Sequence, residues 1–190
     1  VMGAVTSPFM TKMMATNLEL YQTGEGVSSS GVFYQAGSQY SIISSPFAAG
    51  WFCPTGSGIT MGLIIAIMLF SKRDDFKAIA KLAIPCGIFN INEPIIFGIP
   101  LVMNAVFAVP FFLAPLACIS LGYLVQYIGL CPLFVINVPW TTPVGLFGFL
   151  ASSGNIMGGI WQAVIIIGVS TLIYTPFVIA SNRQTDTAEI

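Results

Sequence analysis

The 190-residue chain contains no histidine, and its four cysteines, Cys53, Cys86, Cys118 and Cys131, sit in apolar stretches without CxxC spacing. Those absences exclude a zinc site of the usual kind and leave the cysteines as small core residues. No other metal or cofactor motif replaces it. Charge is equally scarce: Lys and Arg number 6, Asp and Glu 7, and the net charge is -1. Without a basic cluster to neutralise phosphates, a nucleic-acid partner is excluded. The N-terminus lacks the basic region and cleavable apolar stretch of a signal peptide. It opens on Val1 in mid-pattern, so the chain is expected to be a fragment whose upstream half is missing.

Apolar residues are what the chain has in abundance. They make up 56% of it, charged residues only 7%, and mean hydropathy is +0.89. Soluble domains carry roughly 25% charged residues. The reading is an all-α, polytopic protein of the lipid bilayer, combining transmembrane helices with re-entrant half-helices broken by Pro and Gly.

Ser7 to Leu20 is compatible with a helix, and Gly24 to Ser30 reads as a polar loop where the chain leaves the bilayer. Phe47 to Phe70 is apolar, but Pro54, Gly56 and Gly58 interrupt it, and the part beyond Gly58 is too short for a core of about 30 Å. Ser71 to Lys81 reads as a loop holding Lys72, Arg73, Lys77 and Lys81, four of the six basic residues. The positive-inside rule places it in the cytoplasm, together with the tail after Asn182. Leu82 to Ile99 has too many breakers for one span and reads as two half-helices meeting at Asn92 and Glu93. Phe111 to Leu130 reads as a full span despite Pro115. Cys131 to Pro143 is broken again, and Ile156 to Ala180 is the last span.

Between Leu82 and Asn182 the sole charged side chain is Glu93. A carboxylate among lipid-compatible residues costs about 2.5 to 3.5 kcal/mol on insertion scales, which marks it as a functional site by default. The alternative is an interfacial or protonated, hydrogen-bonded carboxyl. Phe89-Asn-Ile-Asn92-Glu-Pro94 is echoed by Phe134-Val-Ile-Asn137-Val-Pro139, an FxINxP spacing in both broken segments. Paired interrupted segments point to a transporter binding site near the midplane.

The chemistry of those segments suits a sugar. A carboxylate accepts from neighbouring hydroxyls, and the amides of Asn92 and Asn137 both donate and accept. Trp140, beside Thr141 and Thr142, offers a π-face for the C–H edges of a pyranose. A tryptophan of the interfacial belt is the alternative there, and Trp51 and Trp161 read as belt or packing residues.

The run GIFNINEPIIFGIPLVMNAVFAVPFFLAPL, Gly87 to Leu116, closely resembles the signature of the membrane component IIC of bacterial sugar phosphotransferase systems, in the lactose, cellobiose and diacetylchitobiose branch. SPFMTKMMATNLELYQTGEG is similar to that family's segment ending NLEAYQAGE, TGSGITMGLIIAIMLFSK to its GGSGATLALVIALLLFSK, and VPWTTP to its VPWTTP. The resemblance implies that residues 1–190 are the C-terminal portion of a single IIC transmembrane domain in the bacterial cytoplasmic membrane. It implies uptake of a β-linked disaccharide coupled to phosphorylation by a separate IIB protein, with IIA upstream and a homodimer at full length. Glu93 would be the catalytic residue binding the hydroxyl that receives the phosphoryl group, with Trp140 also contacting the sugar and Asn92 alongside; Asn137 and Thr141 join the expected substrate-binding set on the chemistry of their own segment. No cysteine here would carry the phosphoryl group. Two departures stand out: the family's histidine in an HG motif is absent, and Pro54-Thr55 stands where Gly is usual at the second position. A proton- or ion-coupled secondary transporter with Glu93 as protonation site, and a non-transporting membrane subunit, are the competing readings.

Overall fold

The computed structural model describes residues 2–24, 27–28, 31–99, 101 and 105–188. Pro100 and four residues of the expected polar loop, 25, 26, 29 and 30, lie outside the described residues. The helices run α1 (Met2–Thr23), α2 (Ser45–Trp51), α3 (Met61–Phe70), α4 (Asp74–Ile88), α5 (Glu93–Gly98), α6 (Ala105–Tyr127), α7 (Leu146–Ala151), α8 (Ile156–Ala163) and α9 (Ser170–Ala188). A π-helical stretch, Val164–Val169, joins α8 to α9. A minimal antiparallel pair joins β1 (Val27–Ser28), within the expected polar loop, to β2 (Gly31–Val32) just after it, and the other described elements are helical.

Among the described residues two stretches are long and apolar enough to cross a membrane, Val106–Tyr127 and Ile156–Asn182, of 22 and 27 residues. At 1.5 Å per residue they extend about 33 and 40 Å, beyond a hydrocarbon core of about 30 Å. Pro110 and Pro115 sit inside α6 without ending it. α3, with ten residues, is too short to cross, as expected from the interruption before it.

The chain folds as two compact units, Val1–Phe52 with Ile119–Ala163, and Cys53–Cys118 with Val164–Ile190. In the second unit α3 is apolar all round and packs on α9 and α4. Gly62 permits the close approach: a Cβ there would lie 2.6 Å from the Ser170 carbonyl carbon. Small residues serve helix contacts of this kind where lipid supplies no hydrophobic drive. The hydroxyls of Ser170, Thr171 and Thr175 donate back to carbonyls one turn earlier, and Cys118 Sγ lies 3.7 Å from Ile165 O inside the π-helical stretch. Such bonds occupy carbonyls displaced from regular α geometry.

Ser71 to Lys81 is mostly helical, not a loop. Only Ser71–Arg73 is extended, and α4 begins at Asp74 because Asp74 and Asp75 occupy its first turn, where carboxylates suit the free N–H groups. Arg73 pairs with Asp75 at 2.6 Å and lies 3.8 Å from the Phe76 ring centroid. Its hydrogen bond holds the Asp75 carboxyl below the usual range. The polar tail is helical too, since α9 continues to Ala188. Asn182 accepts from Lys72 N and donates to Phe70 O, both at 2.9 Å, so the basic segment and the start of the tail share one end of this unit.

In the first unit Trp51 is fully buried and stacks on Phe134 at 5.4 Å with a 3° interplanar angle. It is therefore a packing residue, and Gly122 allows its ring to press on α6, where a Cβ would lie 2.3 Å away. Cys118 and Cys131 are buried as expected, but Cys53 is exposed in the interrupted segment and is no core residue.

Candidate functional site

The sequence FNIN sets the Glu93 turn. α4 ends at Ile88, Asn90 adopts a left-handed φ of 65°, and Asn92 caps α5, accepting at its carbonyl from Ile96 N at 3.0 Å. Asparagine tolerates the left-handed region better than most residues, and Pro94 in the first turn needs no N–H partner. Glu93 begins α5 and is exposed, so its carboxylate avoids the burial that sequence alone would suggest.

Against this turn lies the interruption between α2 and α3. Thr55, Gly56, Gly58 and Ile59 all have positive φ, between 51° and 82°. Two asparagines of the Glu93 turn hold this loop. Asn90 Oδ1 accepts from Thr55 N at 2.8 Å, and Asn92 Nδ2 donates to Ser57 O at 2.7 Å. Gly56 is required by that contact, because a Cβ would sit 2.3 Å from Asn92 Cγ. Asn92 is only 7% exposed, so one of its amide hydrogens serves the protein itself, and what remains for a ligand is the rest of the amide.

The second FxINxP segment folds differently. Phe134 is buried where Phe89 is exposed, Asn137 is exposed where Asn92 is buried, and no helix starts after Pro139. A turn closes instead, with Thr142 N donating to Pro139 O at 3.0 Å, and it carries Trp140 and Thr141. Trp140 is 65% exposed, and Thr141 is half-buried. Gln162, fully buried on α8, ties the start of α7, just beyond this segment, to α2. Its Oε1 accepts from Gly145 N at 2.9 Å and Gly148 N at 2.7 Å, while its Nε2 donates to Gly50 O at 2.9 Å.

The five expected site residues thus fall into two local sets. Asn92 and Glu93 belong to the second unit, and Asn137, Trp140 and Thr141 to the first. Asn90, Thr55, Tyr174 and Gln162 were not among the expected site residues. Each has a partner between 14 and 116 residues away, which no local pattern shows, though Asn90 stands in the FNIN run. Two clefts in the first unit, of about 570 and 360 Å³, contain none of the five. The larger is walled by Met10, Ile43, Phe47 and other apolar groups, and a hydroxylated ligand would find few partners there. Among the described residues no cluster of His, Cys, Asp and Glu could hold a metal ion.

A model of the family "Phosphotransferase system, EIIC" matches residues 1–115. The cellobiose-specific EIIC component of Lactococcus lactis is 42% identical over 144 residues, covering 74% of this chain and 28% of that protein. The lactose-specific EIICB component of Staphylococcus aureus is 35% identical over 165 residues, 85% of this chain and 26% of that one. The crystal structure of ChbC, the IIC component of the N,N'-diacetylchitobiose-specific phosphotransferase system, superimposes with a TM-score of 0.83 at 32% identity, covering 98% of this chain and 40% of that chain. The chain spans well under half the length of each relative. Family match, identity and fold agree, and the chain belongs to the phosphotransferase system EIIC family of membrane proteins.

Proposed function

We propose that the chain is the C-terminal portion of a IIC transmembrane domain that takes up a β-linked disaccharide and presents it for phosphorylation by IIB, with IIA as the upstream carrier. The observation that carries this reading is Glu93: the sole charge between Leu82 and Asn182, exposed on a turn held by two asparagines. A carboxylate at a helix break, next to side-chain amides that tie its turn to a neighbouring loop, supports a ligand role for it. In this reading Glu93 accepts from the hydroxyl that receives the phosphoryl group, with Asn92 beside it. Asn137, Trp140 and Thr141 meet the sugar from their own segment.

The relatives' names support the partners. One is a cellobiose component and another a lactose EIICB component, and IIB is the proposed phosphoryl donor here. The broken helices α2–α3 and α4–α5 would be re-entrant, the chain multi-pass in the bacterial cytoplasmic membrane, and the basic Lys72–Lys81 segment cytoplasmic. A homodimer at full length completes the proposal.

Vesicles containing the full-length protein, with IIA, IIB and phosphoenolpyruvate, are expected to accumulate phosphorylated cellobiose, lactose or diacetylchitobiose. Unmodified sugar accumulating with a proton gradient would instead establish the secondary-transporter reading. Within the same assay Trp140 has a distinct signature. Trp140→Phe keeps a π-face and part of the affinity, whereas Trp140→Ala loses about 1 to 2 kcal/mol of binding, near the range of aromatic contacts. Equal affinity of wild type and the alanine variant would make Trp140 a belt residue.

A further inference from the structure

Tyr174 on α9 has no exposed surface, and its hydroxyl donates to Gly58 O at 2.6 Å. The proposed sugar chemistry makes no use of it. Gly58 belongs to the loop whose Thr55 and Ile59 have φ of 59° and 51°. Side chains branched at Cβ rarely enter that region, and they stay there only when the surroundings over-determine them.

Three side chains from outside the loop supply that determination. Asn90 takes Thr55 N, Asn92 takes Ser57 O, and Tyr174 takes Gly58 O. Two of these come from the Glu93 turn itself and move with it. Tyr174 comes from a helix 116 residues further along the chain and is the tether that refers loop and turn to the helical core. The loop has little room to shift. A Cβ at Gly58 would lie 2.4 Å from the Phe111 ring, and one at Gly56 2.3 Å from the Asn92 amide. Any displacement of Ser57 and Gly58 is therefore passed to Asn92, and Glu93 is the next residue.

We infer that Tyr174 is a positioning residue for Glu93, acting through the Thr55–Ile59 loop and Asn92 to fix where the carboxylate points. This rests on the proposed sugar site. The hydroxyl does not meet sugar: it is buried and already committed to a carbonyl. Its removal leaves Gly58 O without its tyrosine partner in a buried setting, and the loop must rearrange to satisfy it.

The test is a double-mutant cycle in the full-length protein. Tyr174→Phe keeps the ring and removes one oxygen. It is expected to leave the protein folded, with a thermal midpoint in detergent lowered by no more than the loss of one hydrogen bond, and sugar binding within about twofold, while phosphoenolpyruvate-dependent phosphorylation falls about five- to tenfold, the scale of one hydrogen bond. In the Glu93→Gln background the same change should lower phosphorylation by less than about twofold, because the group being positioned is already gone. Wild-type phosphorylation by Tyr174→Phe overturns the inference. So do losses that multiply in the double variant, or loss of the folded protein, since the hydroxyl then serves the fold at large. If Glu93→Gln alone phosphorylates at the wild-type rate, the sugar reading falls first and the inference with it, a result distinct from multiplying losses.

Discussion

Glu93→Gln in the full-length protein is expected to weaken disaccharide binding by about ten- to hundredfold and coupled phosphorylation by more. The swap keeps shape and nearly all volume but replaces an acceptor oxygen by NH₂, so a sugar hydroxyl loses a charge-assisted acceptor worth about 1.5 to 3 kcal/mol. The fold has little to lose. Glu93 is exposed at the start of a six-residue helix, and a carboxylate in a first turn contributes only about 0.3 to 1 kcal/mol. Phosphorylation should suffer more than binding because the glutamine cannot take on proton or charge as the hydroxyl is activated. Binding titrations and phosphosugar formation, each on folded protein, check the two parts separately. Wild-type transport and phosphorylation by this variant would remove Glu93 from the site.

Gln162→Leu should produce the largest loss of stability. Leucine is close in volume, so packing around α8 is roughly kept while three backbone groups lose their partner: Gly145 N, Gly148 N and Gly50 O. Gly145 precedes α7 and has no side chain to cap it, so Gln162 supplies from another helix the acceptor that a capping Ser or Asp would give. An unsatisfied buried group costs about 1 to 3 kcal/mol, so the loss should reach roughly 3 kcal/mol or more, set against a total of about 5 to 15 for a typical domain. The glycines make local repair difficult, because α7 and α8 already touch through backbone: a Cβ at Gly148 would lie 2.4 Å from Gly158 O. Thermal unfolding in detergent reads the loss directly. A midpoint equal to the wild type's would mean that Gln162 supports nothing.

Much of the architecture was legible because lipid-compatible helices announce themselves by length and composition. The spans Val106–Tyr127 and Ile156–Asn182 overlap the stretches expected from apolar runs alone. Breaks at Pro54, Gly56 and Gly58, and at Asn92, were legible for the converse reason, since Gly and Pro disrupt a helix whatever surrounds them. The charge-rich Ser71–Lys81 segment was misread as a loop: high polarity marks solvent contact, and a solvated helix such as the start of α4 satisfies that equally well. The FxINxP echo was real as sequence and misleading as structure. Identical letters at Asn92 and Asn137 meet different neighbours, so one caps a helix and the other stands exposed.

By itself the sequence determined the all-α class, the EIIC family, the positions of the helix breaks and the isolation of Glu93 in an uncharged stretch. Those properties depend on residue type and on neighbours within a few turns. Only the tertiary structure decided which side chains hold the breaks in place. Tyr174 reaches Gly58 across 116 residues, Gln162 reaches Gly50 across 112, and Asn90 reaches Thr55 across 35. Hydrogen bonds of that range depend on how helices pack, and no spacing within a single helix or turn encodes them.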